Sequence, residues 1–175
     1  MRPLPVSPAL VDTRAARAAQ VRRARPADVA GITALVAEWA ASGLLLPRGA
    51  AEVAAALDDY VVAVDAAGRV LACAAVREYA PSLVEVMSVA VARAAHGGGL
   101  GARVVAAAEG IARLRGHEGV FAHTQNPEFF TAIGYECVDR ALYPEKRGRA
   151  VSTCVRRAFG APAAAARADG VLQAA

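Results

Sequence analysis

The pattern of apolar and polar positions predicts a chain that passes repeatedly between strands and helices. Apolar residues recur at helical spacing after Pro26 and after Gly99, and short apolar runs bounded by turn residues fill most of the rest. The pattern predicts strands at about 20–25, 60–64, 69–79, 83–91, 120–124, 135–140 and 150–158, and helices at about 26–41, 50–57, 100–115 and 128–133. This order indicates an α+β or mixed α/β fold with a strand–loop–helix–strand unit at its centre.

The two ends of the chain differ from its middle. Residues 1–18 are rich in Pro, Ala and Arg without a sustained apolar period, and residues 160–175 are largely alanine. We expect a flexible N-terminal extension over 1–18, one domain over 19–159 and an alanine-rich tail over 160–175. A chain of 175 residues can bury one hydrophobic core, so one site is expected to carry the function.

Composition narrows the class of protein. Hydrophobic residues make up 56% of the sequence, but much of this is alanine and charged residues interrupt every apolar run, which predicts a protein without membrane spans. The net charge is +4, with many arginines near the two ends, and aromatic residues are only 5%. Nucleic-acid binding is therefore not indicated.

The cysteines and the first residues bear on location. Cys73, Cys137 and Cys154 are an odd number and widely separated, so they predict neither a disulfide framework nor a zinc site and fit a reducing cytoplasm. The arginines near the start have no apolar stretch after them, which argues against a secretory signal and leaves a weak similarity to a transit peptide as the alternative.

A glycine-rich loop joins a predicted strand to a predicted helix. Glycines there let main-chain N–H groups approach an anion without side-chain obstruction, and the start of the helix adds a favourable dipole. The loop therefore predicts a site for the phosphates of a cofactor, with a flexible connection that binds nothing as the alternative. The loop residues are His96, Gly97, Gly98, Gly99, Leu100 and Gly101.

A dinucleotide is a weaker alternative for this loop. The spacing of Gly97, Gly99 and Ala102 satisfies the loose dinucleotide fingerprint, and Glu118 lies at about the usual distance downstream. Dinucleotide folds place the loop after their first strand and the acidic residue at the end of the second, whereas this loop follows several strands and Glu118 precedes its strand. The Walker pattern is absent, because no Gly-Lys-Ser/Thr follows the loop.

The loop and a second motif resemble those of the GNAT superfamily of N-acetyltransferases. The family's loop reads Arg/Gln-x-x-Gly-x-Gly/Ala, here with His96 in the first place, and residues 130–135 match its aromatic-x-x-x-Gly-aromatic ending. The resemblance covers about 20–158 and implies a GNAT fold, with a mixed, mostly antiparallel sheet flanked by helices. It implies acetyl-CoA as donor, with its pyrophosphate on the loop. The residues expected along the pantetheine arm are Val89, Ala90, Val91 and Phe130.

A narrower resemblance is to the acetyltransferase domain of N-acetylglutamate synthases. It rests on residues 43–48 (Gly-Leu-Leu-Leu-Pro-Arg), 58–63 and 68–75, and is extended by Glu85 and by residues 120–124 and 128–130. This implies transfer of acetyl to the α-amino group of L-glutamate, a step of arginine synthesis. The carboxylate of an amino acid calls for a cation in the pocket, and arginine offers a bidentate fork. The residues expected to bind the substrate are Arg48, Arg77, Thr124 and Arg156.

The chemistry requires a base. A thioester is attacked by a neutral amine, so a proton must first leave the ammonium. Glu85 stands among apolar residues of a predicted strand and is the expected base, with an outward-facing surface charge as the alternative. The main-chain N–H of Val89 is expected to stabilise the oxyanion. Many family members protonate the thiolate with a tyrosine where this chain has Phe130, which leaves Ser88, Thr124 or a water for that role.

Several readings stay open at this level. The expected partners are a small amine or amino acid and acetyl-CoA, without nucleic acid or membrane, and no metal is expected because thioester aminolysis needs none. A GNAT enzyme for another amine and a catalytically silent CoA-binding sensor are the alternatives to a glutamate acetyltransferase. A homodimer is neither indicated nor excluded.

Overall fold

The computed structural model describes residues 13–80, 83–139 and 152–156 of the chain. Within these residues seven strands form one sheet in the order β1-β2-β3-β4-β5-β7-β6. The strands are β1 (Gln20–Arg23), β2 (Tyr60–Val64), β3 (Val70–Ala80), β4 (Leu83–Val91), β5 (Val120–Thr124), β6 (Glu136–Val138) and β7 (Ser152–Arg156). The helices are α1 (Thr13–Ala18), α2 (Val29–Ala41), α3 (Ala50–Ala55), α4 (Leu100–Leu114) and α5 (Pro127–Ala132). The predicted mixed, mostly antiparallel sheet flanked by helices is confirmed.

Four consecutive strands, β1 to β4, pair antiparallel. The β2–β3 hairpin turns where the sequence predicted it. Asp65 Oδ1 accepts hydrogen bonds of 2.9 Å from the main-chain N–H groups of Ala67 and Arg69. Gly68 closes the turn with a φ of 80°, a conformation that costs glycine little.

The sheet buries side chains on both faces. Ala72, Ala74 and Val76 of β3 pack in one cluster with the apolar stripe of α4. The intervening Cys73 and Ala75 pack in a second cluster with α2 and α3. This division follows from the alternation of side chains along a strand. Among the described residues, no helix combines the length and the apolar character needed to cross a bilayer.

An ion pair fixes the start of α2 against β1. Asp28, only 4% exposed, accepts bonds of 2.6 and 3.0 Å from the Arg22 guanidinium and one of 2.7 Å from the main-chain N–H of Arg25. These contacts, with the Arg22 hydrogen bond first, hold the pKa of Asp28 below its ordinary value.

The sheet splits between β4 and β5. These two strands run parallel, and Glu85 and Phe121 are register partners. The described parts of β4 and β5 share no further register partner, while all five residues of β5 pair with β7 on its other side. The two strands therefore diverge towards their C-terminal ends and leave a wedge between them.

Residues 13–18 differ from the expected flexible extension, because they form helix α1. Ala16 is fully buried, and Arg103 of α4 donates hydrogen bonds to the main-chain oxygens of Ala16 at 3.1 Å and Ala19 at 2.6 Å. A helix of six residues is not stable by itself, so tertiary contacts hold it and the local sequence does not reveal it. The predicted tail at 160–175 lies outside the described residues.

Candidate active site

Glu85 lies at the point where the wedge begins. Its side chain is 1% exposed, and its Oε2 accepts a 2.8 Å hydrogen bond from the hydroxyl of Tyr79. Burial, and then the Glu85 carboxylate, raise the pKa of Tyr79 to about 12, so this phenol stays protonated and acts as a donor. The side chain of Tyr79 is 36% exposed, so the pair joins a buried carboxylate to the protein surface.

A β-bulge follows Glu85 on β4. Cys73 is the register partner of Ala90, and Ala75 is the partner of Met87, so Ser88 and Val89 share the place opposite one residue of β3. Ser88 has a φ of 53°, which is uncommon for a residue with a side chain. Its carbonyl accepts a 3.4 Å bond from the Cys73 thiol. The bulge therefore takes the main chain of β4 out of the regular ladder at the strand's centre.

Arg48 and Tyr60 lie near the bulge. The buried phenol of Tyr60 has a raised pKa, chiefly because of burial, while a hydrogen bond with the Ser88 side chain and the charge of Arg48 oppose the rise. The charge of Arg48 also acts on Tyr79. Arg48, Tyr60, Ser88, Tyr79 and Glu85 therefore form one cluster, which we call the acceptor cluster.

Only part of the hydrogen-bonding capacity of the Arg48 guanidinium is taken up within the described residues. Its side chain is 11% exposed and pairs with Glu52 through Nη1. Its Nε is buried and has no hydrogen-bond partner among the described residues. Gln125, directly after β5, donates a 3.0 Å bond to the carbonyl of Gly43, so the loop that carries Arg48 is tied to the end of β5. A buried donor that is free to bind fits a carboxylate ligand.

The other expected substrate-binding residues are placed differently. Arg77 is exposed, lies opposite Glu85 in the register, and holds its guanidinium 5.7 Å from the Tyr79 ring centroid. Thr124 is buried at the end of β5, where its hydroxyl accepts a 2.9 Å bond from the main-chain N–H of Asn126.

Arg156 belongs to a separate network. Its Nε lies 3.0 Å from Oε1 of the buried Glu109, which also accepts a 2.9 Å bond from the Tyr135 hydroxyl. Its Nη2 contacts the carbonyl of Ile133. Arg156 therefore joins β7 to α4 and the segment after α5, and a role in substrate binding would require this ion pair to open.

The glycine loop has an open position and a crowded one. Gly97 and Gly99 have φ values of 74° and 72°, and at Gly97 no atom lies within 4 Å of where a Cβ would stand. Gly99 precedes α4, whose first-turn N–H groups are available to an anion. At Gly98 an added Cβ would lie 2.3 Å from the Cβ of Ala16. The glycine at 98 is therefore required by the packing of α1, and the backbone surface open to a ligand is that of Gly97.

His96 is held in place by Trp39. The two rings stack with centroids 5.5 Å apart, and His96 Nε2 lies 3.1 Å from the carbonyl oxygen of Val91. Because a carbonyl oxygen can only accept a hydrogen bond, Nε2 of His96 carries the proton of this contact. The Trp39 indole donates to the same oxygen at 3.0 Å. The carbonyl of Val91 is thus occupied.

Phe130 packs in a group of buried aromatic side chains. It is 1% exposed and meets both Phe129 and Tyr135 edge to face, with ring centroids 5.0 Å apart in each pair. The ring of Phe130 offers no proton to a leaving thiolate. Tyr135 does not replace it, because its hydroxyl is engaged by Glu109.

Two tyrosines of the acceptor cluster were not assigned from the sequence. The sequence pattern places Tyr79 only at the end of a predicted strand and Tyr60 only at the start of another. A signal for Tyr79 does exist, because the tight β3–β4 connection brings it back towards Glu85. Tyr60 reaches Ser88 across β3, which no local pattern reveals.

Comparison with known proteins places this arrangement among acetyltransferases. The sequence model of the acetyltransferase (GNAT) family matches residues 34–135. An uncharacterized N-acetyltransferase, CT2212 of Chlorobaculum tepidum, is 32% identical over 137 residues, which are 78% of this chain and 88% of the relative.

Two solved structures are similar over most of the chain. N-acetylglutamate synthase from Neisseria gonorrhoeae, complexed with coenzyme A and N-acetyl-glutamate, has a TM-score of 0.74 and 27% identity over 80% of this chain. The chain spans only 35% of that enzyme's length. The Mycobacterium tuberculosis protein Rv2747, in complex with CoA, has a TM-score of 0.70 and 25% identity over 79% of this chain and 98% of its own.

Proposed function

Because the chain belongs to the GNAT acetyltransferase family, we propose that it transfers the acetyl group of acetyl-CoA to the α-amino group of an acidic amino acid, specifically L-glutamate. The Neisseria gonorrhoeae structure, which holds coenzyme A and N-acetyl-glutamate, supports this substrate. The product would enter arginine synthesis.

The observation that carries the proposal is the acceptor cluster. It holds a buried carboxylate, Glu85, bonded to Tyr79 at the start of the wedge, and the charge of a largely buried cation, Arg48, acts on the same tyrosine. An amino acid needs both, since its carboxylate must be held and its ammonium must lose a proton before it attacks. Arg77, on the exposed side of Tyr79, is a second cation for the other carboxylate of glutamate.

Glu85 is the proposed base. It takes one proton from the ammonium, directly or through a water. The Tyr79 hydroxyl donates a hydrogen bond to Oε2 of Glu85. The freed amine forms the C–N bond to the thioester carbonyl, and the C–S bond then breaks. The second amine proton passes to the thiolate sulfur through Ser88 or a water, and Glu85 releases its proton to solvent, so the products are the N-acetyl amino acid and free CoA.

The bulge is the proposed oxyanion site. The N–H of Val89 lies where β4 leaves the regular ladder, so it is a main-chain donor that can serve the carbonyl oxygen of the thioester. Ser88 is a candidate to supply the proton of the leaving thiolate in place of the phenol that Phe130 lacks. Its hydrogen bond with Tyr60 would hold it for that role.

The glycine loop is the proposed site for the diphosphate of acetyl-CoA. The open backbone at Gly97 and the start of α4 after Gly99 suit an anion. Val89 offers main-chain groups to the pantetheine arm and Val91 offers its N–H, because the carbonyl of Val91 is occupied. The register directs the main-chain groups of Ala90 to Cys73 of β3. The reaction needs no metal.

A free-thiol release assay tests the proposal. The purified protein is given acetyl-CoA and one of L-glutamate, L-aspartate, L-glutamine, L-lysine or a simple polyamine. Turnover with L-glutamate at the highest kcat/KM is expected. Turnover only with another amine would overturn the substrate and keep the enzyme class. Binding of CoA without any turnover would favour the catalytically silent sensor.

A further inference from the structure

Two of the three cysteines, distant in sequence, meet at the edge of the sheet. Cys137 on β6 and Cys154 on β7 are 17 positions apart in the sequence, and their sulfur atoms lie 3.3 Å from each other. They are register partners in the antiparallel β6–β7 pair. Both are free thiols, and Cys137 is exposed while Cys154 is buried.

The geometry suits a covalent bond. Directly opposite residues of an antiparallel pair have Cα atoms about 4.5–5.5 Å apart, which falls within the range of about 4.4–6.8 Å seen for disulfides. From 3.3 Å the sulfurs need to approach by only about 1.3 Å to reach the length of an S–S bond. Rotation about the two side chains can supply this without moving the strands.

We propose that Cys137 and Cys154 are a modification site at which a hydroperoxide produces a reversible intramolecular disulfide. The exposed thiol of Cys137 is the one an oxidant reaches, and Cys154 lies in contact with it to complete the bond. This site is separate from the acceptor cluster and does not depend on the proposed substrate.

The steps balance as a two-electron oxidation. The Cys137 thiolate attacks the O–O bond of the hydroperoxide, gains one oxygen atom and becomes a sulfenic acid, and the peroxide leaves as water or alcohol. The Cys154 sulfur then attacks the Cys137 sulfur, the S–S bond forms, the S–O bond breaks, and a second water is released. Two thiols are oxidised and the peroxide is reduced, and dithiothreitol reverses the change.

The order of these steps follows from burial. Burial raises the pKa of the Cys154 thiol to about 12, which makes it a poor first nucleophile towards an oxidant in solution. Cys73 is also buried, with a pKa raised to about 12 by burial, and its thiol contacts the carbonyl of Ser88. Cys73 is therefore an internal control that should stay reduced in the folded protein.

Mass spectrometry of the full chain tests the site. Reduced protein is treated with hydrogen peroxide, denatured, and alkylated with N-ethylmaleimide. The expected product carries one maleimide instead of three, has lost about 2 Da through the missing hydrogens, and returns to three maleimides after dithiothreitol. Proteolysis should yield a single cross-linked pair of peptides containing Cys137 and Cys154.

Two variants serve as controls. Cys73→Ser should still lose both remaining thiols, whereas Cys137→Ser should keep Cys154 available to maleimide. If the wild-type protein gave sulfinic acid at Cys137 with Cys154 still alkylated, the proposal would be wrong. A disulfide that joins two chains through Cys137 would overturn it as well.

Discussion

Replacing Tyr79 with phenylalanine removes one hydroxyl from the acceptor cluster and leaves the ring. In the wild-type protein this hydroxyl donates a 2.8 Å hydrogen bond to Glu85, whose side chain is 1% exposed. The variant keeps the aromatic packing, including the 6.1 Å contact of ring centroids with Phe121. Any change in rate therefore reports on the hydroxyl and its effect on the carboxylate.

The size of the effect follows from the bond that is lost. A hydrogen bond to a charged group contributes about 1.5–3 kcal/mol, which corresponds to about tenfold to 150-fold in rate. Tyr79 is 36% exposed, so water can replace part of this bond, and the lower end applies. We expect kcat/KM for the amine to fall about tenfold in Tyr79→Phe, with little change in the KM for acetyl-CoA.

A double-mutant cycle shows whether Tyr79 acts through Glu85. Glu85→Gln is isosteric and removes the base, for which we expect a loss of about 100-fold to 1,000-fold in kcat. If Tyr79 works by positioning the carboxylate, adding Tyr79→Phe to Glu85→Gln should cost less than about threefold more. Free-thiol release at saturating acetyl-CoA, with varied amine, measures each corner of the cycle.

Tyr135→Phe is a matched control. It also removes a hydroxyl that donates to a buried carboxylate, here Glu109 at 2.9 Å. Glu109 lies on α4 and belongs to the network of Arg156, which is separate from the acceptor cluster. This variant should unfold at a lower temperature and keep kcat within about twofold. Wild-type turnover in Tyr79→Phe, or an equal loss of turnover in both variants, would refute the reasoning.

Three further predictions test the rest of the structure. Arg48→Met should raise the KM for L-glutamate about tenfold to 100-fold, whereas Glu52→Gln, which breaks the ion pair but keeps the cation, should change it less than about threefold; equal effects would contradict a carboxylate site. Gly98→Ala should lower Tm by about 5 °C by displacing α1, and adding Ala16→Gly should restore most of the loss, with no rescue counting against the packing. Asp28→Asn should lower the free energy of unfolding by about 2 kcal/mol at pH 7. The folded pKa of this carboxyl is below its ordinary 3.8, so its stabilisation is present above that pH and is lost as the pH falls further; urea denaturation at pH 7 and pH 3 should show the gap closing.

Much of the fold could be predicted because each element leaves a local pattern. The strands at 60–64, 83–91 and 120–124 have the bounds that alternation and turn residues indicated, and the helix after the glycine loop differs by one residue. The sequence did not predict the helix at 13–18, because six residues rich in alanine and arginine show no apolar period. Hydrogen bonds from Arg103 hold this helix, and it packs where Gly98 has no side chain.

Less of the candidate site could be predicted from the sequence. Glu85 and Arg48 were chosen on residue type and family resemblance, and both lie in the acceptor cluster. The β3–β4 hairpin brings Tyr79 to Glu85, and the pairing of neighbouring strands brings Tyr60 to Ser88. Arg156 instead forms an ion pair with Glu109. The cysteines looked unrelated along the chain, yet the β6–β7 register brings two of them together.

The sequence by itself determined where the chain is helical or extended, where it turns, and which loop can face an anion. These properties depend on neighbours within a few residues, through side-chain periodicity and the conformational freedom of glycine. Only the tertiary structure decided which side chains meet, because strand order and register are set by packing across the whole sheet. A period of two shows that a side chain faces the core, but it does not show which distant residue lies opposite.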